Sequence, residues 1–434
     1  MFSQKSNTGP VKNPSHNVVL PFYIYAALAF AVSTALLFTS SGYFSQHYFQ
    51  PKILAITHTM ALGWGTMIIL GSSYQLLPVL IERKLYSNIL AHLSFLFAGI
   101  GIPMLVCGFY TFNMRWPAQY GALLIDVAII LYLVNVVASF AKSKQENIHA
   151  LFMLTAGIWL FITILIGSLL VYNFTYNFLP KDSLHYLSLH AHLGIAGWFL
   201  LLVMGVGTRL IPMFLVSGYN NKKILWWMYG LTNAGLISFA FSFLYFPSKH
   251  IYLIDVSFIA IAVLLFVYYC RKAYLTRIRR QTDAQMKVSL LAVIMMVVPL
   301  LFLVAIISIL MFTATDINLV TAYGFTIFFG WLTAIILGMT FKTLPFIIWN
   351  KTYHARAGLG RTPNPKDLFS AGLFNGMALC YLTGFVCFVF GIMTVNPLAL
   401  KGGAALLICC AFLYNANVAK LIFHKPGRYE NSNK

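Results

Sequence analysis

One motif occurs three times along the chain at nearly equal intervals. In each copy a Gly–Trp pair is followed by a second glycine seven residues after the tryptophan, a polar residue after eleven and a proline after fourteen. The copies are centred on Trp64, Trp198 and Trp331, which are 134 and 133 residues apart. This spacing predicts a fold assembled from three similar units, which we place at 1–147, 148–281 and 282–434.

The residue six positions before each tryptophan distinguishes the copies. The first two copies have His58 and His192 at this position, whereas the third has Phe325. A second echo, Leu-Ile-Asp-Val, contains Asp126 in the first unit and Asp255 in the second, and the third unit lacks this aspartate as well. We therefore expect the chemistry to lie in the first two units and the third to be scaffold.

Composition identifies the environment of these units. The chain is 60% hydrophobic and 9% charged, which indicates that a lipid bilayer surrounds it. Apolar runs long enough to span a membrane predict an all-α protein with twelve transmembrane helices, four in each unit. They lie at 20–41, 52–80, 88–112, 118–140, 148–172, 184–216, 224–246, 250–270, 286–313, 316–348, 367–391 and 397–421.

The even number of spans in each unit has a topological consequence. Successive units enter the membrane in the same direction, and parallel repeats of this kind are related by an axis along the membrane normal. We therefore expect a pseudo-threefold arrangement in which the second, sixth and tenth helices surround the centre. These three helices carry the repeated motif.

The net charge of +20 reflects topology. Of 29 Lys and Arg residues, five lie on one side of the predicted membrane and two lie within spans, which leaves 22 on the side of both termini. Cytoplasmic loops carry such an excess, so we expect an integral protein of the inner or plasma membrane with both termini in the cytoplasm. Nucleic-acid binding is excluded, because its basic residues cluster on one polar element.

The polar residues inside the spans are the candidate functional groups. His58, His190 and His192 all fall in the outer half of the predicted bilayer, as do Asp126 and Asp255. A charged residue at the centre of a membrane helix costs about 2.5–3.5 kcal/mol, so these groups should face the bundle or a wet cavity. Two histidines on different helices are able to hold a haem iron from both sides, and His58 with His192 is the expected axial pair.

His190 and His192 are two residues apart and point to nearly opposite faces of a helix, so one helix is able to serve two sites. We take His190 as a ligand of the second site. The alternative for each histidine is a hydrogen bond between helices. Asp126 and Asp255 either orient the ligand histidines or act as proton or ion sites. The six cysteines form no CxxC and are expected to be small buried thiols.

The motifs His58-Thr-Met-Ala-Leu-Gly and His190-Ala-His192-Leu-Gly, set in three units of four helices, resemble subunit I of the haem–copper oxidases. The chain also looks like the NnrS family of haem and copper membrane proteins linked to the nitric oxide response. The resemblance implies haem b as cofactor, copper as a further metal, and axial ligation by His58, with His190 and His192 contributing to two haems.

The chain departs from the oxidase pattern in two places. Its His-x-His lies on the sixth helix, and the tenth offers Phe325; the seventh helix holds Trp226-Trp227 where the oxidases have a His–His pair. This shorter ligand set favours an NnrS-like, haem-binding membrane protein that acts in the nitric oxide response or in electron transfer with a redox partner subunit. The alternatives are a secondary transporter with a central His/Asp ion site and a nitric oxide or oxygen reductase subunit.

Overall fold

A computed structural model describes residues 16–143, 147–278, 280–313, 316–354 and 362–425. Twelve helices in these ranges are long and apolar enough to cross a bilayer, which makes the chain a multi-pass membrane protein and confirms the all-α fold. We number them in chain order. They are α1 His16–Thr39, α2 Pro51–Leu80, α3 Asn88–Tyr110, α4 Trp116–Phe140, α5 Ile148–Tyr176, α6 Leu187–Leu215, α7 Lys222–Tyr245, α8 Lys249–Leu275, α9 Ala284–Phe312, α10 Ile317–Tyr353, α11 Ala371–Thr394 and α12 Pro397–Ile422.

Short polar residues begin many of these helices. A side chain just before the first helical residue accepts a hydrogen bond from a backbone N–H of the first turn, whose amides have no partner within the helix. Residues with this role are Ser87, Asn147, Asn221, Asp283, Asp316, Ser370 and Asn396.

The helices that carry the repeated motif form the core. In the most apolar stretches of α2, α6 and α10, 67%, 72% and 72% of residues are buried, against 61% or less in every other spanning helix of the described residues. The remaining helices keep one side exposed, which is the side that lipid covers. The repeated motif therefore marks the centre of the bundle.

The three core helices meet at residues in the same place of the repeat. A Cβ atom on Gly65 would lie 2.8 Å from the Phe199 ring and 3.2 Å from Leu332, so only glycine permits this approach. Each of these residues directly follows the motif tryptophan of its own unit. Contact between α2, α6 and α10 is therefore made through equivalent positions.

The motif tryptophans connect the same helices by hydrogen bonds. Trp198 Nε1 donates to Thr66 Oγ1 at 3.0 Å, and Trp64 Nε1 donates to Thr333 Oγ1 at 3.2 Å. Each threonine lies two residues after the tryptophan of its own unit. The hydrogen bond from α6 to α2 and the hydrogen bond from α2 to α10 therefore join equivalent positions of the repeat. The corresponding acceptor for Trp331 on α6 would be Leu200, which has no side-chain oxygen.

Each core helix also contains a π-helical segment in the same register. The segments run over Thr59–Thr66, Leu193–Leu200 and Thr326–Leu332. They begin one residue after His58, His192 and Phe325, the residues that distinguish the copies. A π-helical turn changes the direction in which the following side chains point and is frequent at functional sites.

The tenth span, predicted to end at residue 348, continues to Tyr353, and the motif proline Pro345 lies inside it. A membrane helix tolerates proline because neighbouring groups satisfy the freed carbonyl. The division into units at 147/148 and 281/282 stays a prediction.

The second glycine of the motif allows the first helix of each unit to approach. A Cβ atom on Gly205 would lie 2.3 Å from Phe152 of α5, whereas one on Gly230 in α7 would meet nothing within 4 Å. We expect Gly205→Ala to destabilise the protein by about 1–3 kcal/mol through overpacking. Gly230→Ala is the control and should be neutral or stabilising, because alanine favours helix. Thermal unfolding in detergent measures both, and an equal effect of the two variants would contradict the packing.

Candidate functional site

A cavity of about 640 Å³ lies beside the core helices, towards the ends at which the even-numbered helices begin. All five polar residues singled out in the sequence line it, and most of the remaining wall is apolar. They are His58, His190, His192, Asp126 and Asp255. The sequence therefore identified groups that share one cavity, although their detailed arrangement differs from the expected one.

We group the lining residues by the α6 histidine that they accompany and call the two groups the first and the second lobe of the cavity. The first lobe is formed by residues of α2, α3, α4, α5 and the His190 side of α6. The second lobe is formed by the His192 side of α6 together with residues of α7, α8, α9 and α10. Helix α6 contributes to both lobes, as its two histidines predicted.

In the first lobe His58 faces His190. The two ring centroids are 6.3 Å apart and the ring planes differ by 15°. His58 also packs against Phe109 of α3 at 4.6 Å. His190 lies against Gly167 of α5, where a Cβ atom would be 2.7 Å from the imidazole Cε1. The absence of a side chain at Gly167 therefore provides the space that the His190 ring occupies.

In the second lobe His192 faces Tyr323. Their ring centroids are 5.9 Å apart and the planes differ by 23°. His192 also packs against Phe239 of α7 at 5.4 Å, much as His58 packs against Phe109 of α3. The second lobe thus repeats the first, with a phenol in place of the second imidazole.

The two ring pairs occupy equivalent positions of the repeat. His58 and His192 lie six residues before their tryptophans, while His190 and Tyr323 lie eight residues before theirs. In both pairs, the residue six positions before the tryptophan of one unit faces the residue eight positions before the tryptophan of the next unit. Sequence reasoning overlooked Tyr323, although counting back from Trp331 would have found it.

This arrangement differs from the expected pairing of His58 with His192, and the assignment of axial ligands stays a prediction. We expected His58 to face His192, because both occupy the same place of the repeat. The structure instead brings His190 opposite His58 and directs His192 to the other lobe. The reason is helix geometry, since residues two apart lie about 200° apart around an α-helix and only one of them is able to face α2.

Backbone carbonyls hold the three imidazoles in place. Nδ1 of His58 bonds the Leu54 carbonyl at 2.8 Å, and Nδ1 of His192 bonds the Ser188 carbonyl at 2.7 Å, each four residues earlier. Nδ1 of His190 bonds the Thr163 carbonyl of α5 at 3.0 Å. A carbonyl only accepts, so Nδ1 carries the proton, and in the neutral ring Nε2 keeps a free lone pair.

The two aspartates are anchored by serines. Asp126 Oδ2 accepts from Ser168 at 2.8 Å, and its Oδ1 is buried with no hydrogen-bond partner in the described part of the chain. Asp255 accepts from Ser238 at 2.5 Å and from Ser242 at 2.9 Å. Within the same ranges no hydrogen bond joins either carboxylate to a histidine ring, so the carbonyls take the orienting role that we had considered for Asp126 and Asp255.

Aromatic side chains fill the position that corresponds to the third copy. Phe325 stacks on Phe388 at 4.5 Å and on Phe329 at 4.8 Å, with Phe385 and Phe44 completing the cluster at 6.0 and 6.2 Å. These contacts replace a ligand with apolar packing. The expectation that the third unit is scaffold stays a prediction, and this unit contributes Tyr323 to the cavity.

Comparison with known proteins adds no assignment, since no protein-family model matches the chain and no curated protein is significantly similar to it. No group of three or more His, Cys, Asp or Glu residues suited to a metal ion occurs among residues 16–143, 147–278, 280–313, 316–354 and 362–425. What the site offers is two facing ring pairs, two serine-bound carboxylates and an apolar wall.

The carboxylates should differ in their effect on stability. Replacing Asp255 by alanine removes two hydrogen bonds and leaves Ser238 without its partner, which should cost about 1–3 kcal/mol. Asp126→Ala removes one hydrogen bond and also a buried oxygen that has none, so its cost should be smaller. Thermal unfolding of the two variants tests this order, and a larger loss for Asp126→Ala would refute it.

Proposed function

We propose that the protein is a haem-binding integral membrane protein and that His58 and His190 are the axial ligands of a b-type haem in the first lobe. The observation that carries this proposal is the facing pair of imidazoles. Metal–imidazole bonds of about 2.0–2.1 Å on opposite sides of one metal separate the ring centres by about 6 Å. The measured 6.3 Å fits that distance.

The free ring nitrogens support the same conclusion. A ligand histidine usually donates its second N–H to an acceptor, which fixes the tautomer and the orientation of the ring. His58 and His190 do this through the Leu54 and Thr163 carbonyls. Both rings therefore keep Nε2 for a metal without carrying charge inside the membrane.

The small number of protein ligands favours haem over a bare metal ion. Structural zinc takes four ligands from the protein, and the described residues contain no cluster of three metal-binding side chains. A porphyrin brings four nitrogen ligands with it and needs only axial ligands from the protein. The apolar wall of the cavity also suits a large flat macrocycle.

Two protein ligands on one iron favour electron transfer over direct reaction with a gas. A haem supplies a reversible one-electron couple, and a pair of histidines leaves no position free for oxygen or nitric oxide. We therefore place the protein in electron transfer, with a redox partner subunit or in the nitric oxide response that the NnrS resemblance suggests. Turnover of nitric oxide or oxygen by the isolated chain would support the reductase alternative. Copper would be a metal bound in addition to the haem.

We also propose that the three units are arranged around a pseudo-threefold axis. Contacts between equivalent residues support this arrangement, including Gly65 with Phe199 and Leu332 and the Trp198–Thr66 hydrogen bond. The excess of basic residues on one side supports termini in the cytoplasm, which places the cavity towards the outer face.

One observation favours a second candidate, a proton- or ion-coupled transporter. Asp126 lines the cavity and its buried Oδ1 has no hydrogen-bond partner in the described ranges, which is typical of an ion or proton site. Proton-dependent uptake into vesicles that is lost in Asp126→Asn would support this function. Iron in the purified protein would favour the haem.

The histidines give the direct test of the proposal. His58→Ala and His190→Ala should each remove the haem, because each deletes one axial ligand. His192→Ala should leave it, because His192 faces Tyr323 in the other lobe. Reduced-minus-oxidised optical spectra and iron analysis measure the content, with one haem per chain expected in the wild type. A colourless, iron-free wild type would overturn the proposal.

Gly167 provides a test that keeps every ligand. Gly167→Ala should push the His190 ring out of place, because the added Cβ would lie 2.7 Å from its Cε1 and 3.3 Å from its Nδ1. We expect a loss of haem or a spectrum with only one histidine bound. Gly157→Ala, ten residues earlier on the same helix, is the control, since its Cβ would meet only ordinary contacts at 3.5 Å. Unchanged spectra in both variants would contradict the assigned role of His190.

A further inference from the structure

The second lobe contains polar groups that the proposed haem does not use. His192 and Tyr323 face each other there, and Asp255 lines the same cavity. We propose that this lobe binds the head group of a membrane quinone or quinol. The proposed site uses neither His58 nor His190, so binding there does not depend on haem.

The polar groups supply complementary hydrogen bonding. Nδ1 of His192 is engaged by the Ser188 carbonyl, so Nε2 of the neutral ring is an acceptor. The Tyr323 hydroxyl has no hydrogen-bond partner within the described ranges although its ring lines the cavity, which leaves its O–H free to donate. Asp255 is held by Ser238 and Ser242, and its oxygens have lone pairs to spare.

These groups comprise one donor and two acceptors, which suits the chemistry of a ring that carries two oxygen atoms. In the quinol form the ligand would donate one O–H to His192 and the other to Asp255. In the quinone form a carbonyl oxygen would accept from Tyr323. Tyr323 thus provides a partner for one carbonyl of the quinone, and His192 and Asp255 provide partners for the two hydroxyls of the quinol.

The walls of the lobe suit an apolar ring with a hydrocarbon tail. Phe239 packs against His192 at 5.4 Å and against Tyr252 at 5.9 Å, forming an aromatic side wall. Leu300, Leu303 and Ile307 of α9 line the lobe as well. Binding sites for small organic ligands have this character, with mostly apolar walls and a few placed polar groups.

The contrast with the first lobe argues against a second metal-centred group. At the position where the first lobe has His190, the second lobe has Tyr323, so the matched pair of imidazoles is missing. A phenol coordinates a metal well only as phenolate, whereas a neutral imidazole is itself a metal ligand. A neutral phenol is, in contrast, a good hydrogen-bond donor to a carbonyl.

The redox class of the ligand also fits the architecture. The chain has no soluble domain among the described residues, and its helices are joined by short segments. A lipid-soluble electron carrier reaches a cavity inside the bilayer without such a domain.

Direct binding to the purified, detergent-solubilised full chain tests the proposal. The probes are decyl-ubiquinone, which is a short-chain benzoquinone, and the corresponding quinol. Their binding to the protein is measured by titration calorimetry. Tyr323→Phe should weaken quinone binding about tenfold, the loss expected for one net hydrogen bond. His192→Leu should weaken binding of the quinol more than that of the quinone, because it deletes an acceptor.

Tyr25→Phe is the matched control. The Tyr25 hydroxyl donates to the Gly99 carbonyl at 3.3 Å, and the residue does not line the cavity, so affinity for both probes should be unchanged. Circular dichroism and haem content of every variant separate loss of binding from loss of fold.

Three results would overturn the proposal. The first is that neither probe binds to the wild-type protein. The second is that Tyr323→Phe and Tyr25→Phe bind the probes with equal affinity. The third is that the wild-type chain contains two haems and that the His192→Leu variant loses one of them. A colourless protein that still binds quinone in a Tyr323-dependent manner would overturn the haem in the first lobe and support this site.

Discussion

The close approach of α2, α6 and α10 at Gly65 is the constraint on which the rest of the structure depends. Because no Cβ is present there, Phe199 and Leu332 reach the backbone of α2, and the three helices converge at one depth. In a bilayer, helix association relies on such packing and on hydrogen bonds rather than on exclusion of water. The Trp198–Thr66 and Trp64–Thr333 bonds add the directional part. Convergence at this depth leaves the helices room to diverge towards their N-terminal ends, where the cavity lies.

The repeated register explains why two similar lobes differ in chemistry. Each lobe contains the residue six positions before the motif tryptophan of one unit and the residue eight positions before the motif tryptophan of the next unit. A substitution at one of these positions therefore changes the ring pair of one lobe and leaves the ring pair of the other unchanged. His190 makes the first pair an imidazole pair, and Tyr323 makes the second a mixed pair. The arrangement of the helices is therefore shared between the lobes, whereas one residue distinguishes the ring pair of each.

The sequence predicted the twelve helices and identified polar residues that line the cavity, because both rest on local patterns. Apolar runs of membrane-spanning length identify the helices, and His58, His190 and His192 stood out as polar groups in apolar surroundings. The pairing of His58 with His190 could not be read locally, since it depends on how α6 is rotated against α2. The roles of Gly167 and of the Thr163 carbonyl were hidden for the same reason, because a backbone group has no signature in a sequence.

The third copy of the motif has phenylalanine at the position where the first two copies have histidine. A ligand-binding lobe needs empty volume, and unfilled volume in a protein interior costs stability in proportion to its size. With Phe325 in place of histidine, this position contributes an aromatic ring to the cavity wall, and the ring packs against Phe388, Phe329, Phe385 and Phe44. Stacked rings separated by 4.5–6.0 Å supply the contacts that a bound group would otherwise make.

The same reasoning applies in reverse to the first two units: a cavity of about 640 Å³ with apolar walls persists there next to oriented imidazoles. Such a cavity is costly unless something occupies it, which supports the two proposals that place a ligand in each lobe.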